Sequence, residues 1–215
     1  ILGTYNILRS INTKIFLIHI STDEVFGHVI NNKSFNEKTK YNPRSPYSAS
    51  KASADHLVSA WNSTYGYKST IVNCCNNFGP NQDKEKFIPV IINNILNNKK
   101  IPIYGNGRQK REWIFVDDFV SSIDFIISKN LTKENFLIGS GIRFENKKFA
   151  KKIIEIFTKN LNFDETKIKL VRVADRPGHD IEYKVDSSKI RRLGWKSKTN
   201  IISDLIKTIN YYKNK

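Results

Sequence analysis

The chain contains no methionine and only two cysteines, Cys74 and Cys75, which stand side by side. Neighbouring cysteines without metal-ligand spacing exclude a disulfide framework and a thiolate zinc site, and they favour a reducing, cytoplasmic compartment. No apolar run approaches the roughly 20 residues needed to span a bilayer, so no membrane partner is expected. Acidic residues are few, 20 against 36 Lys and Arg, giving a formal net charge of +16 and a pI near 9.8. The basic residues are scattered among Asn and Ile. Without a dense basic run, zinc-finger spacing or an aromatic RNA motif, the charge is a compositional bias that suits an anionic substrate and cofactor, with no specific nucleic-acid partner. There is no internal repeat and no low-complexity tail. With no initiator residue and a helical pattern from the outset, the chain reads as a segment of a longer polypeptide, so a targeting peptide stays open.

Two clusters organise what is present. The run from Lys14 to Ile20 is short, apolar and β-branched, as in a parallel strand covered on both faces, and it should end at Ser21. Thr22, Asp23 and Glu24 follow, where open α/β sheets place their ligands. Alone, that triplet equally fits a solvated acidic turn. Further on, Ser45-Pro46 supplies a cap and a first-turn proline for a helix that carries Tyr47 in its first turn and Lys51 four residues later on the same face. A phenol at the positive end of a helix, beside an ammonium, should ionise below its usual pKa of about 10 and serve as a base.

Along the chain, a helix tail over residues 1 to 12 precedes the first strand, and the capped helix should run to Tyr65 with Gly66 closing it. Ser69 to Cys74 is a second buried strand, with Asn76 and Asn77 at its carboxyl end. After Pro80 come a helix over 86–98, strands at 101–104 and 113–116, and a helix to Ile127 capped by Asp117 or Asp118. A short strand at 136–138, helices over 146–160 and 201–212, and a strand over 168–173 complete the pattern. Alternating strands and helices predict an α/β fold with a doubly wound parallel sheet. Residues 1–80 would form a Rossmann-like cofactor domain, and 81–215 a smaller C-terminal α/β substrate subdomain with segments returning to the main sheet.

At these residues the chain resembles a family. The strings Ser21-Thr22-Asp23-Glu24-Val25, Tyr47-Ser48-Ala49-Ser50-Lys51, Asn76-Asn77-Phe78-Gly79-Pro80, Arg111-Glu112-Trp113 and Asp175-Arg176-Pro177-Gly178-His179-Asp180 are similar to those of the nucleotide-sugar 4,6-dehydratases, extended short-chain dehydrogenases/reductases. The resemblance runs from end to end. It implies a hydro-lyase using NAD on a nucleoside-diphosphate sugar, dTDP-glucose foremost, with a UDP-sugar dehydratase, epimerase or decarboxylase, or an inactive scaffold, as the alternatives. Thr22, Tyr47 and Lys51 would serve C4 oxidation, Glu24 would be the base at C5, and Asp23 the acid at the C6 hydroxyl. Ser21, Tyr47, Lys51 and Asn77 would hold the cofactor. Thr22, Asn76, Lys86, Phe87, Pro102, Ile103, Tyr104, Arg111, Asn146, Arg176 and His179 would hold the substrate. A homodimer through a four-helix bundle of the first helix and 46–65 is implied as well.

The chain departs from the family at Phe26, Cys75, Phe78 and Glu112, which leaves the acid, base and hydride relay intact. No Gly-x-x-Gly-x-x-Gly occurs in these residues. The resemblance would assign that phosphate cradle to a missing amino-terminal part, and on this expectation residues 1–215 alone are poorly stable and inactive.

Overall fold

The computed structural model describes residues 1–161, 163–164, 166, 168–178 and 180–214. The chain is an α/β fold. Its first sheet has the order β1-β2-β6, all parallel, with β1 at Phe16–Thr22, β2 at Lys68–Cys74 and β6 at Asn135–Ile138. Helix α1 (Leu2–Ser10) packs on α2 (Pro46–Tyr65), and α2 lies across β1 and β2. On that face Leu8, Val58 and Ile71 are sealed together. Val72, one residue on from Ile71, points the other way, into a second cluster with Phe136, Phe119 and Ile126. Helix α4 (Val116–Ser128) supplies the last two, so β2 is covered on both faces and reads as an unbroken apolar run.

β1 is not. Among the described residues it pairs only with β2, and Ile20 is half-exposed, so its apolar run belongs to an edge. The strand also continues one residue beyond its expected end, through Thr22, before a 3-10 turn at Asp23–Phe26.

Helix α2 starts where its sequence dictates. Ser45 accepts a hydrogen bond from the Ser48 amide at 3.1 Å, and Ser48 Oγ accepts one from the Ser45 amide at 3.0 Å, a reciprocal cap with Pro46 in the first turn. Gly66 closes the helix at φ +71°, a conformation open to glycine at little cost.

A second layer contains β3 (Asn76–Phe78), β5 (Lys110–Phe115) and β7 (Arg143–Glu145), with β3 parallel and β7 antiparallel to β5. β4 (Ile101–Tyr104) pairs in parallel with β8 (Leu170–Val173). Helices α3 (Phe87–Leu96), α5 (Asn146–Leu161) and α7 (Ile201–Lys213) pack on one another around a core that includes Ile92, Phe157 and Leu205. The five-residue α6 (Ser188–Arg192) packs beside β6. β3, β7 and α6 are too short to leave a periodic trace in the sequence, and β5 begins three residues before its expected start. Neither Asp117 nor Asp118 caps α4. The carboxylate of Asp118 instead accepts hydrogen bonds from Ser197, Thr199 and the Lys198 amide, fastening the 197–199 turn.

Candidate active site

The carboxyl end of β1, the amino end of β3 and the start of α2 open onto a cleft of about 690 Å³ that runs outward to β4, α5, residues 176–178 and residues 180–183. Glu24 and Tyr47 face this common space, together with Asn76. Thr22 and Asp23 do not line it but are tied to Glu24, which does. The Thr22 hydroxyl donates to Asp23 Oδ1 at 3.3 Å and accepts from the Glu24 amide at 3.2 Å. One threonine thus ties the two acids together, close enough to the Tyr47 phenol to act on its pKa.

The two carboxyls are not equivalent. Asp23 is 2% exposed and its Oδ2 has no hydrogen-bond partner. Burial, then the charges of Glu24 and Glu112, push its pKa up to about 8, against the weaker pull of Arg111 and the Thr22 hydrogen bond. At neutral pH it is a protonated acid. Glu24 is also raised by burial, but Arg111 draws it back, helped by Arg176 and Lys86 and opposed by Asp180. Neighbouring carboxyls whose surroundings drive their affinities apart provide an acid beside a base.

Tyr47 corrects an expectation. Its pKa lies above the usual value, because burial and the negative charges of Glu24, Cys74 and Asp23 outweigh the hydrogen bond from Thr22. Lys51 does sit one turn along the same face, but its ammonium is turned to the Ile20 carbonyl at 2.8 Å. Spacing along a helix fixed the neighbours and left open where the ammonium points.

Ser21 does not reach the cleft. It is buried, and its hydroxyl donates to Asp55 at 2.8 Å. Asn77 is half-buried and does not line the cleft either: its amide nitrogen contacts Cys74 Sγ and the Cys75 carbonyl, both at 3.3 Å, while its buried Oδ1 has no partner. That open acceptor and the nearby ammonium of Lys51 are groups that fit the carboxamide and ribose of a nicotinamide nucleotide.

At the outer end, Lys86, Phe87, Pro102, Tyr104, Arg111, Asn146 and Arg176 all line the cleft. Ile103 does not. It alternates with Pro102 and Tyr104 along β4, so its side chain enters the core, 5% exposed. His179 lies outside the described residues. Arg176 stacks over the Tyr104 ring, with its guanidinium 5.2 Å from the ring centre. Arg111 is buried, donates to the carbonyls of Lys110 and Asp180 at 2.8 Å each, and lies 4.3 Å from the centre of the Tyr183 ring. Tyr183 in turn donates to Asp180 Oδ2 at 2.7 Å. Asp180 and Tyr183 therefore build a wall of the cleft that the sequence reading missed, although both lie within seven residues of Arg176. Trp113 was missed too. It sits two residues after Arg111 on β5, where strand alternation alone puts both on one face.

The family description "GDP-mannose 4,6 dehydratase" matches residues 1–208. The chain is 40% identical to a dTDP-glucose 4,6-dehydratase of Escherichia coli, covering 91% of this chain and 58% of that protein. It is 40% identical to the Mycolicibacterium smegmatis protein of the same name, covering 99% and 64%. The solved structure of DesIV, a dTDP-glucose 4,6-dehydratase from Streptomyces venezuelae with NAD bound, superimposes with a TM-score of 0.89 at 35% identity, covering 99% of this chain and 65% of that one. The chain thus spans about three fifths of the length of the curated relatives it matches.

Proposed function

The chain belongs to the GDP-mannose 4,6-dehydratase family, and from that premise we propose that its cleft serves the dehydration of dTDP-glucose to the 4-keto-6-deoxy sugar. One observation carries the reading: a buried, proton-holding Asp23 and a cleft-facing Glu24, both bonded to Thr22, with Tyr47 lining the same cleft as Glu24. A reductase or epimerase working through Thr22, Tyr47 and Lys51 has no use for such a pair. An elimination needs one acid and one base.

Tyr47 would take the proton of the sugar C4 hydroxyl as a tyrosinate, a form that the positive charge of bound NAD would have to favour against the groups that raise its pKa here, while Thr22 holds that oxygen. Bound NAD would supply the hydride acceptor for oxidation at C4 and the hydride donor for reduction at C6. Lys51, Tyr47 and the open acceptor of Asn77 are the groups in this chain that suit its nicotinamide end; the Ser21 hydroxyl is already committed to Asp55. With a ketone at C4 the C5 proton is acidic, and Glu24 removes it. Asp23 gives its proton to the departing C6 hydroxyl, so water leaves and a C5–C6 double bond forms. Asp23 and Glu24 thereby exchange protonation states against the preference of their surroundings, and the pair resets when Glu24 returns its proton to C5 as hydride reaches C6 and Asp23 regains a proton from solvent.

The outer cleft suits the remainder of the substrate. Lys86, Arg111 and Arg176 supply positive charge for a diphosphate, Tyr104 and Pro102 an apolar face for a base, and Phe87, Asn76 and Asn146 contacts between. Ile103 can offer only its backbone. Residues 1–80 would carry the chemistry and 81–215 mainly substrate recognition. Leu2 and Ile7 on α1 and Tyr65 on α2 are each more than half exposed, which supports a homodimer through a four-helix bundle of these helices. Two buried free thiols suit a cytoplasmic setting.

The test is to incubate the full-length protein with dTDP-glucose and NAD and weigh the product. Loss of one water from the hexose supports the assignment, and a product of unchanged mass sinks it. Glu24→Gln is expected to retain nucleotide binding and stop water loss.

A further inference from the structure

Trp113 is 2% exposed, lines the cleft, and carries an indole N–H with no hydrogen-bond partner. Indole nitrogen can only donate, and a buried donor left unpaired is rare enough in folded proteins to need a reason. The ring cannot turn aside to find one. It is held against Phe149, with centroids 4.9 Å apart, and against Phe87 at 5.6 Å. The position is defined by strand register: Trp113 on β5 is the partner of Asn76 on β3, and both face the cleft. Arg111, two residues back, faces it as well. The indole therefore lies beside Asn76, which shares the cleft with Glu24 and Tyr47, and on the same strand face as a buried cation.

We infer that the Trp113 N–H is a ligand-binding donor, which takes an oxygen of the diphosphate of the bound nucleotide sugar. This rests on the nucleotide-sugar reading of the cleft. A donor-only group gains most from an acceptor that brings no proton of its own, and bonds to charged oxygens are about twice as strong as neutral ones. A sugar hydroxyl or a base carbonyl is the weaker match. The indole nitrogen is sealed from solvent, so the lining must give slightly to admit the oxygen, and the donor then adds a further direction of selection for a diphosphate to the charges of Lys86 and Arg176.

The experiment measures binding of thymidine diphosphate and of thymidine to the unsubstituted protein, to Trp113→Phe, and to protein in which Trp113 alone is replaced by β-(3-benzothienyl)alanine. The last keeps ring size and stacking and deletes only the N–H, so it separates a lost donor from a loosened core. Both replacements should weaken thymidine diphosphate binding by roughly tenfold, as expected for a hydrogen bond to a charged group. Thymidine binding should be unchanged in the benzothienyl protein. Unaltered diphosphate affinity in that protein overturns the role of the indole while leaving the cleft's ligand intact, and so does an equal weakening of thymidine. If the unsubstituted protein binds no thymidine diphosphate, the nucleotide reading falls first and this assignment with it.

Discussion

Asp23 and Asp55 are both carboxyls at the junction of β1 and α2, buried to 2% and 1% exposure, and they have opposite surroundings. Asp55 is met by His19 Nε2 at 3.0 Å, the Ser21 hydroxyl at 2.8 Å, the Tyr41 phenol at 3.0 Å and the Asn73 amide at 3.2 Å. Asp23 has the Thr22 hydroxyl alone, at 3.3 Å, and an empty Oδ2. A carboxylate ringed by donors is a fastening, because protein groups replace its water. A carboxyl denied them keeps its proton and can give it away. Burial by itself does not separate structure from chemistry; the supply of donors does. Tyr47, Lys51 and Asp55 follow at four-residue steps on α2, so the fastening lies on the helix face that presents the tyrosine.

The largest expected effect breaks the fastened side. Asp55→Ala strands several donors against β1 and β2 and should cost about 3–5 kcal/mol of stability, since each buried donor left unpaired costs about 1–3 kcal/mol. The urea midpoint measures this; a cost below about 1 kcal/mol would mean that the four contacts contribute little beyond packing. Asp23→Asn should do the reverse. Turnover of dTDP-glucose should fall by about 10²–10⁴, the usual weight of a general acid. Stability at pH 7 should not fall, since the folded chain no longer has to hold a proton on a group that the unfolded chain releases.

A pH series sharpens the same contrast. Below pH 3.8 both folded and unfolded chains carry the Asp23 proton, and above about 8 neither does. Between those limits the folded state binds more protons, so the Asp23 contribution to stability declines as pH rises and levels off above about 8. Asp23→Asn should flatten that decline in denaturant titrations across pH. Glu24→Gln removes the largest charge acting on Asp23, so the levelling point should move to lower pH. An unmoved levelling point would show that burial alone sets the acid.

Much of this was legible in the sequence where one segment carried its own signal. The Ser45-Pro46 start, the Gly66 end and the apolar β2 run each follow from local rules, and the Thr22-Asp23-Glu24 string pointed to the end of β1 where the cleft opens. What escaped depends on partners distant in sequence. Asp118 fits a cap by position, yet the 197–199 turn claims it. Ser21 adjoins the triplet, yet Asp55 takes its hydroxyl. Alternation along β4 turns Ile103 inward, and the direction of the Tyr47 shift depends on which charges crowd it. The wall of Asp180 and Tyr183 was hidden because Arg111, 69 residues away in sequence, organises it through the Asp180 carbonyl.

The smallest expected effect asks which end of α2 sets the tyrosine. Ser45 caps the helix two residues before Tyr47, and Asp55 fastens it eight residues beyond. Ser45→Ala removes one oxygen acceptor from the first turn and should cost about 1 kcal/mol, read as a small drop in the urea midpoint. If Asp55 holds the helix on β1, the phenol stays beside Thr22 after the cap is lost, and turnover of dTDP-glucose should remain within about twofold of the parent, the scale of a few tenths of a kcal/mol in the barrier. A loss of turnover far beyond that, at unchanged substrate affinity, would place control of Tyr47 in the cap and leave Asp55 a purely stabilising contact. Ser45 itself borders the cleft, so the comparison needs KM as well as kcat: a change confined to KM reports a lost substrate contact and leaves the fastening by Asp55 intact.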